Sequence, residues 1–126
     1  MQHEQVFIKV NATCDKGIAP LVAALNTVDG VFTLDSCQKG TYGEAYVFFT
    51  YGTTWQELAY LLQRISSYLS EIKVACGFAL RLEWFGSNEY PRAQIVLEPV
   101  HVGILAAALE KFGLSFSGHK SQSIII

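Results

Sequence analysis

The run EAYVFFTYGTTWQELAYLLQRISSYLSEI, residues 44–72, decides the fold. Glu44 to Tyr51 reads as a strand, and Gly52 closes it. Thr54-Trp55-Gln56-Glu57 then has the spacing of a capping box, in which hydroxyl and carboxylate satisfy each other's backbone donors. Beyond it Trp55, Leu58, Leu62, Ile65, Leu69 and Ile72 recur at alternating spacings of three and four residues. That period predicts an amphipathic helix of about five turns. Its stripe faces a core rather than a coiled-coil partner, because the run stops before a third heptad is complete.

Working towards the N-terminus, residues 38–43 form a glycine-bearing loop that joins this strand to another, Val31 to about Cys37. Asp29-Gly30 separates that strand from a short helix, Ile18 to Val28, which carries Leu21, Val22, Leu25 and Val28 on one side. Pro20 fits only in its first turn, and Asp15 is a candidate N-cap. Residues 4–11 alternate Val6, Ile8 and Val10 against Phe7, Lys9 and Asn11 and read as the first strand.

Towards the C-terminus a second hairpin is expected, Gly77 to Phe85 and Arg92 to Glu98 around a loop at 86–91. Pro99 opens a last helix with Val102, Leu105, Leu109 and Phe112 on its apolar side, and Gly113 is read as its stop. The apolar end Ser123-Ile124-Ile125-Ile126 suits an edge strand or a subunit contact. The order is therefore β-α-β-β-α-β-β-α. It predicts an α+β, two-layer sandwich whose mixed or antiparallel sheet carries its helices on one face.

Composition bounds the rest. The chain has 126 residues, 51% hydrophobic and 16% charged, with a formal charge of −2. That is one domain, able to bury roughly two-thirds of its unfolded surface. A mean hydropathy of +0.28 excludes a disordered chain. No apolar run approaches the ~18 residues of a membrane span, and Met1-Gln2-His3-Glu4 leads straight into the first strand without a secretory signal. A soluble, cytoplasmic domain with no membrane partner is expected. Cys14, Cys37 and Cys76 have neither the number nor the spacing of a disulfide framework or a zinc motif and read as free thiols.

Alternation sorts side chains by sheet face. Lys9, Asn11, Thr33, Asp35, Arg81, Glu83 and Gln94 are expected on the face away from the helices. Such a face is either solvated, with cross-strand charge pairs, or a ligand or subunit surface, for which Trp84 and Phe85 are also available. Phosphate-cradling GxxxxGK[ST], dinucleotide-binding GxGxxG and zinc-binding HExxH patterns are absent. Ser36 lacks the GxSxG frame of a nucleophile elbow, and His101, in the opening turns of the last helix, reads as a surface or capping histidine.

Within residues 15–49, Lys16-Gly17, Leu25-Asn26, Thr33, and Ser36-Cys37 with Gly40 following form a pattern. By these positions the segment resembles the core of the tRNA wybutosine-synthesis methyltransferase family. In the family the glycine comes two residues after the cysteine and an arginine follows it. Here Gln38 and Lys39 intervene and Thr41 takes the arginine's place, with Lys39 as its stand-in. The resemblance implies S-adenosylmethionine as cofactor and methyl transfer to a hypermodified guanosine in tRNA.

The residues themselves place a ligand site at the same point. Asp35, Ser36 and Cys37 end a strand beside a glycine-bearing loop, and with Lys39 and Gly40 they offer donors and acceptors suited to an amino-acid-like or carboxylate group. An Asx or Ser turn at the strand end explains them equally. Two functions from different classes remain open. One is a small S-adenosylmethionine-dependent enzyme acting on RNA or a nucleotide, which needs positioning more than acid–base machinery. The other is a non-catalytic module of the same fold that binds a small molecule or self-associates as a homo-oligomer. The charge of −2 weighs against tRNA, whose binding rests on phosphate neutralisation.

Overall fold

The computed structural model describes Lys9, residues 13–83 and residues 90–116. The expected first strand (Lys9 apart), Trp84, Phe85, most of the second hairpin's loop and the Ile124–Ile126 tail lie outside the described residues. The elements are α1 (Ala19–Thr27), β1 (Val31–Cys37), β2 (Ala45–Tyr51), α2 (Trp55–Glu71), β3 (Phe78–Glu83), β4 (Arg92–Leu97), a 3₁₀ turn (Pro99–His101) and α3 (Val102–Phe116). The four strands pair antiparallel throughout, in the order β1-β2-β4-β3. This is the expected α+β class. Among the described residues no helix is long and apolar enough to cross a membrane.

One core joins the layers. Ala45, Val47 and Phe49 of β2 and Ala93, Ile95 and Leu97 of β4 face it, and Leu21 and Leu25 of α1, Leu58, Leu61 and Ile65 of α2, and Leu105, Leu109 and Phe112 of α3 fill it. The capping box forms as expected. Thr54 Oγ1 accepts from Glu57 N at 3.2 Å, and Glu57 Oε1 accepts from Thr54 N at 3.2 Å. Gly52, at φ +69°, lets the chain turn there, where a Cβ would lie 2.7 Å from the Glu57 carboxylate. Thr54→Ala is expected to cost about 1 kcal/mol in chemical denaturation, most of it restored by Thr54→Ser.

Three expectations are corrected. The buried stripe of α2 runs through Leu58, Leu61, Ile65 and Leu69, while Trp55 and Ile72 at its ends are 50% and 44% exposed. A 17-residue helix is about 25 Å long and outruns strands of about 20 Å, so its ends overhang the sheet. Asp15 does not cap α1, whose N-cap is Ile18 with no side-chain bond. Its Oδ2 accepts instead from Gln38 N at 3.1 Å, and Gln38 Oε1 accepts from Gly17 N at 2.6 Å. Gly113 does not stop the last helix, which continues to Phe116. It sits where α3 meets α1, and a Cβ there would lie 3.1 Å from Thr27 Oγ1.

Candidate functional site

A cleft of ≈ 190 Å³ opens where α1, β1 and residues 13–14 meet. Val22, Phe32 and Leu34 give it an apolar floor; Thr13, Cys14, Asp35 and Ser36 form a polar rim. A shallower polar recess over Asp15 and Asp35 continues it outward.

Local structure fixes each wall. The end of α1 is tied to β1 by a reciprocal pair: Asn26 Nδ2 donates to Thr33 Oγ1 at 2.8 Å, and Thr33 N donates to Asn26 Oδ1 at 3.2 Å. Lys9 brings its ammonium to the carbonyls of Asn26 (2.5 Å) and Val28 (3.5 Å), where a helix end favours positive charge, and 5.4 Å from the Phe32 ring centroid. Asn26 and Thr33 therefore hold helix to strand.

The register of β1 shifts between Thr33, paired with Phe49, and Ser36, paired with Val47. Leu34 and Asp35 together face the single residue Phe48, as in a β-bulge. The bulge separates two residues that simple alternation kept together. Thr33 turns towards the helices, and its expected place on the open face is corrected. Asp35 lies exposed at the rim, its Oδ1 accepting from Ser36 N at 2.9 Å.

The five expected site residues divide. Asp35 and Ser36 line the cleft. Cys37 does not line the cleft; it pairs with Tyr46 on the open sheet face, and its thiol donates to Lys39 O at 3.2 Å. Gly40 closes a tight loop in which its N–H donates to Glu44 O at 2.5 Å and its carbonyl accepts from Gly43 N at 3.0 Å. Lys39 is exposed, and neither it nor Gly40 lines the cleft. The bonds between 15–17 and Gln38 do bring the segments bearing Lys16 and Lys39 to one rim. Among the described residues no three His, Cys, Asp or Glu side chains gather as a metal site. Burial pushes the Cys76 thiol pKa up, which keeps it unreactive.

The face of the sheet away from the helices carries more than the expected polar set. The register places Arg81 and Gln94 there, with Glu83 beside Arg92 at 3.7 Å. It also places there two aromatic side chains that alternation did not assign, Tyr46 and Phe48, in edge-to-face contact at 5.6 Å. The Arg92 guanidinium lies 5.1 Å from the Phe48 ring centroid. Partial burial first, then the Asp35 carboxylate and the Cys37 thiol beside it, raise the pKa of the Tyr46 hydroxyl. Compared with protein-family models, with curated proteins and with solved structures, the chain matches none.

Proposed function

We propose that the chain is a small-molecule-binding module whose site is the cleft at the bulge of β1. The observation that carries this reading is the pairing of an apolar floor, Val22, Phe32 and Leu34, with the Asp35 carboxylate and Ser36 hydroxyl on one rim. Such a lining orients an amphipathic ligand: the carboxylate meets a cationic group, the hydroxyl a second polar group, and the floor a short apolar chain. Its ≈ 190 Å³ is below the roughly 300–1,000 Å³ of sites that enclose a drug-sized ligand, so the ligand is amino-acid-sized.

That size also bears on the second reading, methyl transfer from S-adenosylmethionine to RNA or a nucleotide. The amino-acid end of that cofactor suits the Asp35–Ser36 rim, while its nucleoside would lie outside the cleft. Thermal unfolding with methionine, S-adenosylmethionine, S-adenosylhomocysteine and adenosine separates the two. At a hundredfold excess over Kd, a ligand adds about 2.7 kcal/mol and raises Tm by on the order of ten degrees. A rise with free amino acid that is lost in Asp35→Ala and Ser36→Ala supports the binding module. A rise confined to S-adenosylmethionine and S-adenosylhomocysteine favours the methyltransferase reading and calls for tRNA as acceptor. No rise with any of the four at millimolar concentration overturns both.

A further inference from the structure

We propose that the open sheet face is the interface of a homodimer, in which the β1 edge of each copy lies over the β3 edge of the other. No described helix covers this face. The register sets Phe48, Gln94 and Arg81 in one row, and the bulge puts Leu34 and Asp35 at the β1 end of it. In the next row Tyr46 of β2 stands beside Val96 of β4, flanked by Cys37 and Ala79. The charges of the first row are thus at opposite ends, and the large rings of both rows belong to β2.

A two-fold axis between two such faces, parallel to the strands, reverses every row. Arg81 then lies over the partner's Asp35, Gln94 over the partner's Phe48, and Val96 over the partner's Tyr46, and each contact occurs twice, as an isologous interface requires. Large side chains meet smaller ones, and aligned sheets about 10 Å apart leave space for one interdigitated layer. Arg81 and Asp35 are both exposed in the single chain, so the two cross-pairs join charges that have solvent around them before association.

Single-stranded nucleic acid is the competing occupant, since aromatic rings on a sheet stack bases. Charge decides against it. Asp35 shares a row with Phe48, Glu83 offsets Arg92, and the chain is −2 in total, which gives a polyanion no consistent attraction. Opposite charges on opposite edges suit a copy read in reverse. Four strands of this length present roughly 400 Å² of face, at the small end for protein interfaces, so a reversible dimer of micromolar affinity is expected.

The test is sedimentation velocity from about 1 to 200 µM at roughly 0.1 M salt, without ligand, so it is independent of what the cleft binds. The wild-type protein should pass from monomer to dimer. Arg81→Asp and Asp35→Arg should each weaken association at least about tenfold, and the two together should bring it back to within about threefold of wild type. Circular dichroism confirms that the variants fold. A wild-type monomer throughout, a dimer indifferent to both single reversals, or folded singles that the double reversal does not rescue would each overturn the proposal. So would a monomer that binds decauridylate and loses it on Arg81→Asp, which would assign the face to nucleic acid.

Discussion

Phe49→Ala is expected to lower the free energy of unfolding by about 3–5 kcal/mol, while Phe48→Ala, one residue earlier, costs less than about 1 kcal/mol. The side chain of Phe49 is fully buried within the one core that all three helices fill. Truncating it removes most of a large apolar surface and leaves a cavity that close-packed neighbours cannot fill. Phe48 points to the other side of the sheet, half-buried, with Tyr46 at its edge and Arg92 over its ring. Its loss forfeits an edge-to-face contact and a cation–π contact at a surface, and water enters where the ring was. Urea denaturation at submicromolar concentration, where association does not contribute, reads both values. For a chain of this length the Phe49 variant should melt roughly 10–20 °C below wild type. Equal costs at the two positions would mean that β2 does not present the faces described.

The same pair of residues shows where sequence reading stops. In AYVFFTY both alternating sets are apolar, Ala45, Val47 and Phe49 against Tyr46 and Phe48, so period two identifies a strand without saying which side is the core. The helix after it was legible because its signals agree: a hydroxyl and a carboxylate three residues apart, then apolar residues on one side only. Where a local signal carries two meanings, tertiary context chose. Asp15 has the chemistry of an N-cap and serves as a clamp on Gln38.

The candidate site was legible in part for a related reason. Its place at a strand end points to Asp35-Ser36-Cys37, but consecutive strand residues alternate between faces, so position alone does not say which of the three line a site. Asp35 and Ser36 both reach the cleft because it opens along the sheet-edge strand β1, Cys37 lies beyond it, and the bulge moves Thr33 to the helix side. A bulge has no composition signature at this point, since Leu34 and Asp35 are ordinary strand-end residues. Thr13, Cys14 and Val22 reach the cleft through the packing of α1 on β1, which no local pattern encodes.

Gly113→Leu is expected to cost about 3 kcal/mol, at the upper end for overpacking, and to lower Tm by roughly ten degrees. Glycine inside a helix is unfavourable by about 1 kcal/mol relative to alanine, so its presence in the last turn of an apolar, otherwise favourable α3 needs a reason. The reason is contact. A Cβ on Gly113 would lie 3.1 Å from Thr27 Oγ1 and 3.4 Å from Val28 Cγ2, against the last turn of α1. The three further carbons of leucine have nowhere to go but into that helix. Gly113→Ala is a finer probe, because the gain in helix propensity opposes a contact with one hydroxyl, held in place by its bond to Ala24 O at 2.6 Å. In wild type the two effects roughly offset. With Thr27→Ala the hydroxyl is gone, the nearest backbone atom, Thr27 C, is at an ordinary 3.6 Å, and the same Gly113→Ala change should stabilise by about 1 kcal/mol. A double-mutant cycle measured by urea denaturation therefore carries a coupling between positions 27 and 113, and additive values would mean that α1 and α3 do not meet at this glycine.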